Sequence, residues 1–478
     1  MFEMERRRTW RDSKMIKVIG VGILVLLLLI PLAMVRGLVG ERQQRQLSVE
    51  QELAAVWGAA QTVAGPVLSI PYDSLCEVQT AAANGQMVTS FQPCEKIGHF
   101  LPETLSVDGP VTPEVRSRGI FDVVVYRTDL RLQGTFAAPK FDELARDAAV
   151  GSGPIGRIHW ERASLGVGIP DLRGIRGRVD LDWQGQKVPF APGLVDPSLW
   201  TAGLRAPLRL DGAAEKPAAG ERIPFSFQVR LAGSSGLNLL PFGRQTRLAL
   251  RSPWQSPSFS GAFLPESRRV GKDGFVATWN VSYYGRSFPQ SWSSVQTAGL
   301  APAINGSAFG VDFVQPVDVY QQTERSVKYG ALFLVLTFVT FFLFELFQPI
   351  RVHPVQYLMV GSALCLFYVL LLSIAEQVAF GIAYLVAAGV TVALLGAYAA
   401  AVLRSAGRAV VFAGVLGLLY GYLYVLLQAE DYALLLGSIG LFLILALVML
   451  ITRRVDWYGA TAAQERGGLG AVSSASSA

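Results

Sequence analysis

Charge is what this sequence has least of. Only 16% of its 478 residues are Asp, Glu, Lys or Arg, where soluble domains carry about 25%. A chain so poor in charge does not present all of its surface to water. Chemistry-bearing residues are also few, with three histidines (His99, His159 and His353) and three cysteines. No G-x-S-x-G, H-E-x-x-H or Walker A loop occurs. The nucleophile elbow, zinc-protease helix and phosphate cradle built by those motifs are therefore missing. The cysteine spacing fits no zinc site. His99 precedes a Phe-Leu-Pro strand start, His159 sits beside Trp160, and His353 falls in a connector. Structural roles suffice for all three, and no catalytic residue, cofactor or metal is assigned.

What is present is apolar sequence, 51% of the chain, gathered in one N-terminal run and a dense block after Val327. Val18 to Val35 is 18 uncharged residues, enough to cross a hydrocarbon layer of about 30 Å. A cleaved signal peptide has an apolar core of only about 7–15 residues and a small-x-small exit. The run here ends PLAMVRGLVGER, which reads as an uncleaved anchor over 18–39 behind a basic leader over 1–17. Tyr329–Phe344, Pro354–Ala375, Gln377–Leu403, Ala409–Ala429 and Tyr432–Thr452 are five further candidates. They form a bundle over 327–452, followed by a tail, 453–478, too poor in large apolar residues to fold. None of the six spans carries an ionisable residue at its middle, which speaks against an ion-coupled path.

The connectors differ in sign. Arg351, then Arg404 with Arg408, then Arg453 with Arg454 fall on one side, and Glu376 and Glu430 with Asp431 on the other. The side rich in Lys and Arg is cytoplasmic, so both termini are expected there. The stretch FELFQPIRVHPV then reads as a tight cytoplasmic hairpin. Its prolines disfavour a helix interior, and Glu345 lies at a helix end within reach of water and Arg351.

Residues 41–325 are left outside the membrane. A linker helix over 40–64 is expected to run until Gly65-Pro66. Beyond it the period changes to two. Phe225, Phe227 and Val229 alternate with other residues, as do Ala277, Trp279 and Val281. Asp180 and Asp182 alternate with Val179, Leu181 and Trp183 in the same way. Such strands have one buried and one wet face, and closely spaced turns point to antiparallel, sandwich-like packing over 65–326. FLPE recurs at 100–103 and 263–266, which raises the question of two modules. The fold class expected is thus six transmembrane α-helices plus a large β-rich domain. Cys76 and Cys94 lie together in that domain, where an exported compartment lets disulfides persist; they either bridge a short loop or stand as two free thiols. Cys365 is placed mid-membrane as a small apolar residue.

Several segments are similar to the CreD family of bacterial inner-membrane proteins. They are GPVLSIPY (65–72), FLPETLSVDG (100–109), FLPESRRVGKDGF (263–275), DVYQQTERSVKYGALFLVLTFVTFFLFEL (318–346), RVHPVQYLMVG (351–361), LLLGSIG (434–440) and ITRRVDWY (451–458). The resemblance runs from the anchor to Tyr458. It implies a role in cell envelope integrity and a link to signalling of cell-wall damage. It brings no catalytic residues, since the family has no established reaction. The leader, the serine-rich tail and the cysteine pair stand outside the common pattern.

The expected function is therefore that of a non-enzymatic inner-membrane protein of the envelope stress response. Its partners would be the lipid bilayer and an envelope protein or cell-wall component, with no nucleic acid. The alternative is a membrane enzyme or transport component acting on lipid or cell-wall intermediates. A polar cavity in the bundle, lined by residues such as Gln356, Ser373 and Gln377, would favour that alternative; an apolar bundle together with an open groove on the β domain would favour the first reading. Alkaline phosphatase fused after residues near 200, 376 and 430 should be active, and after 351, 406 and 456 inactive. Activity at 351 would contradict the hairpin.

Overall fold

The structure is a computed structural model and describes residues 14–81, 87–147, 155–194, 196–210, 220–314, 319–347, 352–429 and 432–453. The basic cluster before Lys14, Arg351, Glu430, Asp431, Arg454 and the tail lie outside them. The chain divides into two compact units, Gln46–Pro316 and Met1–Arg45 with Val317–Ala478.

The first unit holds the strands. In chain order they are β1 (Gln61–Ala81), β2 (Met87–Phe100), β3 (Thr104–Arg118), β4 (Phe121–Ala137), β5 (Ser164–Gly168) and β6 (Asp180–Trp183). Next come β7 (Gln186–Pro189), β8 (Ala191–Pro192), β9 (Gly203–Pro207), β10 (Arg222–Ser234), β11 (Gly236–Leu239) and β12 (Gln245–Ser252). The last are β13 (Pro257–Gly261), β14 (Ser267–Gly271), β15 (Gly274–Ser282), β16 (Ser291–Ser293) and β17 (Phe309–Phe313). One sheet runs β13-β17-β11-β1-β5-β9-β8, with β2 beside β1 and β16 beside β2; the other runs β14-β15-β12-β3-β4-β10-β6-β7. Pairing is antiparallel except for β1 with β11 and β3 with β12.

Period-two alternation explains the packing. Phe225, Phe227, Val229 and Leu231 turn inward on β10, and Phe275, Ala277, Trp279 and Val281 on β15. The two sheets share a single apolar core. Trp279 of one sheet lies 6.0 Å from Phe309 and 5.7 Å from Phe259 of the other, ring centre to ring centre. The strands thus form one module. The two FLPE segments have matching places within it, each leading from a strand of the first sheet into a hairpin of the second (β3–β4 and β14–β15).

Two boundaries differ from those expected. The linker helix ends at Trp57, before Gly65-Pro66. Gly58 has φ +134°, and a Cβ there would stand 2.6 Å from the Ala232 carbonyl oxygen. Only glycine makes that exit, after which Gln61 pairs with Leu237. Pro66 instead falls at a register shift between β1 and β5, an irregularity where a strand tolerates proline. The β unit spans 46–316 in place of 65–326, because residues after 316 fold with the helices.

The second unit contains most of α1, the helix Lys14–Trp57 that continues into the β unit. Numbering on past two short helices of the β unit, α2 (Phe141–Asp147) and α3 (Thr297–Asn305), it also holds α4 (Val319–Lys328), α5 (Gly330–Phe347) and α6 (Pro354–Ala375). It is completed by α7 (Phe380–Leu403), α8 (Ala406–Gln428) and α9 (Ala433–Thr452). Among the described residues five helices are long and apolar enough to cross a membrane, and six if α4 and α5, bent by 44°, count as one span. Glycines let them approach. A Cβ on Gly361 would lie 2.1 Å from Leu28, and one on Gly330 2.7 Å from Leu32, so α1 seats against α5 and α6 there. Gly417 and Gly421, a small-xxx-small pair, face open space instead. Cys365 is buried, with its thiol 3.8 Å from the Leu28 carbonyl oxygen. At the turn before α6, His353 caps the helix reciprocally with Gln356, and Pro354 takes the first helical position, where its missing N–H costs nothing. Glu345 accepts from the Val352 N–H at 3.3 Å and from the Tyr357 hydroxyl at 3.2 Å.

Beyond Tyr72 the β1–β2 hairpin continues as a two-stranded ribbon to Ala81 and Met87. A lone ribbon is marginal in water. Cys76 and Cys94, 18 residues apart with Cα atoms at 5.8 Å, are joined across it. Protein made in cells should resist thiol labelling at both positions until reduced. The double serine variant should lose about 3 kcal/mol, the chain-entropy value for such a loop, measured by denaturant unfolding. Ready labelling without reductant would reject the bridge.

Candidate ligand groove

The wet face of the second sheet carries two rows of polar side chains, set by strand register. One row runs Ser282, Gln245, Thr104 and Thr135 across β15, β12, β3 and β4, and ends against Pro224 of β10. The next runs Asn280, Arg247, Ser106, Gln133, Ser226 and Asp182, reaching β6. Residues two apart on a strand share a face, so the rows lie side by side. Together they line an open groove of about 800 Å³. The Thr104 and Thr135 hydroxyls are 2.9 Å apart, and Asp182 accepts from the Gly185 N–H at 2.9 Å. A Cβ on Gly134 would overlap the Thr104 carbonyl oxygen at 1.9 Å, so glycine alone lets β3 and β4 close under the groove. Arg247 has no carboxylate partner among the described residues. The lining otherwise combines hydroxyls and amides, which both donate and accept, with the apolar Leu105, Pro224, Phe225 and Val281.

A crevice of about 220 Å³ between α5, α8 and α9 is lined chiefly by leucines, with Phe333, Tyr329, Tyr422 and Ser438. Gln356 is engaged in the cap, where it accepts from the His353 N–H at 3.0 Å, and Ser373 and Gln377 are exposed. The three do not converge.

The other residues singled out from sequence fall as follows. Asp180 pairs with Arg178 at 2.7 Å, while Asp182 joins the groove. His159 bridges Asp73 and Glu161, each at 3.0 Å. The hydrogen bond to Asp73, then that to Glu161, raises its pKa above the usual 6.5. That clamp is complete below pH 6.5 and fades as pH rises through the higher folded value. His99 is 1% exposed. Its Nδ1 lies 2.9 Å from the Ser69 hydroxyl and its Nε2 3.1 Å from Asp196. Burial pushes the Asp196 carboxyl up, but the bond from His99 and further hydrogen bonds outweigh that and hold it well below the usual carboxylate range.

Sequence reading did not foresee this trio, whose members are 30 and 97 residues apart. It has the composition of a nucleophilic triad. Yet Ser69 is 1% exposed and the Trp292 ring lies 5.4 Å from the imidazole, so the hydroxyl is sealed from substrate. A buried, mutually hydrogen-bonded network of this kind fixes a core. Removing the imidazole would leave a buried carboxylate without its partner.

Comparison with known proteins agrees with the architecture. The family described as Inner membrane protein CreD matches residues 13–458. Inner membrane protein CreD of Escherichia coli (strain K12) is 33% identical over 434 residues, covering 91% of each chain. No solved structure matches. With nearly its whole length matched, the chain belongs to the CreD family of inner membrane proteins.

Proposed function

We propose that this protein serves envelope integrity by non-covalent binding, with the β unit in the periplasm and both termini in the cytoplasm. The helices anchor it, and the groove on the second sheet receives an envelope component. The observation that carries this reading is the pair of polar rows across four and six strands, set against a bundle whose crevice is apolar. The orientation rests on Arg404, Arg408 and Arg453 lying at the ends of spans opposite to Glu376. A catalytic reading draws on Ser69, His99 and Asp196, but the enclosure of that trio weighs against it.

Blocking the groove tests the proposal without touching the core. Ser226→Trp and Gln133→Trp alter wet-face positions and should abolish complementation of an envelope-stress phenotype, with the protein still inserted and protease-resistant. Arg269→Trp, on the exposed strand β14 and not part of the groove lining, should complement normally. Full complementation by the groove variants would contradict the reading.

A further inference from the structure

A second cavity of about 610 Å³ is lined in part from the ends of the same strands. Its lining includes Glu103, Arg244 and Tyr283, the immediate chain neighbours of the groove residues Thr104, Gln245 and Ser282 on three adjacent strands. The cavity therefore lies at the strand ends beside the first polar row, one residue further along each strand.

Its chemistry differs from that of the groove. Arg286 is 8% exposed and its guanidinium donates to the carbonyls of Pro241 at 3.2 Å and Phe242 at 3.0 Å, and to Gln290. It rests 4.6 Å from the Phe288 ring, and no carboxylate pairs with it among the described residues. Burial, then the charge of Arg244, pushes its pKa down to about 10. Glu103 offsets this only in part, and the buried Arg286 Nε has no hydrogen-bond partner among the described residues, so a bound anion would be favoured there. Arg244 is hydrogen-bonded to Tyr283, whose ring centre lies 4.8 Å away, and stands 3.6 Å from Glu103. Lys140 and Glu143 neutralise each other at 2.9 Å. Tyr284 is 84% exposed, with its ring centre 4.1 Å from that of Tyr283, an aromatic platform open to solvent.

We propose that groove and cavity form one elongated site for an acidic saccharide, its neutral rings along the polar rows and its oxyanion at Arg244 and Arg286 beside Tyr283 and Tyr284. This rests on the groove reading and gives its ligand a chemical class. Hydroxyl and amide rows match a polyol, which donates and accepts in turn, and an exposed aromatic face suits a sugar ring. A peptide strand would need a free sheet edge, and the groove lies mid-sheet. A nucleic acid carries a charge at every residue and is bound through many cations, whereas the cations here, Arg244, Arg286, Arg247 and the paired Lys140, are nearly matched in number by the carboxylates Glu103, Glu143 and Asp182 in the same lining.

Full-length protein in detergent is titrated by calorimetry with cellotriose, with its terminal-uronate counterpart and with inorganic phosphate. The uronate should bind about tenfold or more tightly than cellotriose, with the preference shrinking as salt rises. Arg244→Gln should erase that preference, Tyr284→Ala should weaken both sugars, and neither exposed substitution should change unfolding. Equal binding of the two sugars overturns the acidic end and leaves the groove reading intact. Binding of neither overturns the saccharide class, while the groove-blocking variants judge the groove itself. Phosphate displacing the uronate completely, at comparable affinity, shows a bare oxyanion site and also overturns the inference.

Discussion

The inner faces of the two sheets are committed to each other, and the rest of the β unit follows from that. Each strand alternates, so the side chains that meet across the core, Trp279 against Phe309 and Phe259, leave their neighbours facing water. On the second sheet those neighbours are Thr104, Ser106, Gln133, Thr135, Ser226 and Asn280. Register aligns them into rows because the same core fixes it: a one-residue slip would send Phe227 outward and Ser226 inward. The apolar interaction that folds the domain is thus also what arranges its polar face.

The helical unit answers to a different solvent. In lipid every backbone group has to be satisfied within the protein, and apolar burial no longer drives helices together, so close packing at small residues takes over. Leu28 and Leu32 of α1 fill the space left by Gly361 and Gly330, and Tyr422 occupies the notch at Gly440 between α8 and α9. Such a unit anchors well. Its crevice is apolar, and the polar residues Gln356, Ser373 and Gln377 go to a helix cap or the surface. In the other unit, α1 ends on Trp57, whose ring lies 5.0 and 5.2 Å from the guanidinium groups of Arg116 and Arg127.

Much of this was legible in sequence because hydropathy and alternation are local signals. The spans, the inward turn of Phe227 and Trp279, and the connector at His353-Pro354 were all readable from short windows. The end of the linker helix was not, since Gly65-Pro66 looks like a breaker until β5 supplies the strand against which the irregularity forms. The single core was hidden by the FLPE recurrence, which marks two matching passages between the sheets and not two modules. The groove rows and the Ser69–His99–Asp196 network depend on pairing between distant strands and loops. No spacing within one segment encodes them.

The central claim is that ligand contact occurs on the wet face of the second sheet and not within the bundle. It is tested most directly by site-specific photocrosslinking in living cells, with the probe placed in turn at positions 133, 269 and 373. The account predicts an adduct from 133 that disappears when Ser226→Trp is added, and no specific adduct from 269 or 373. A specific adduct from 373, with none from 133, would contradict it.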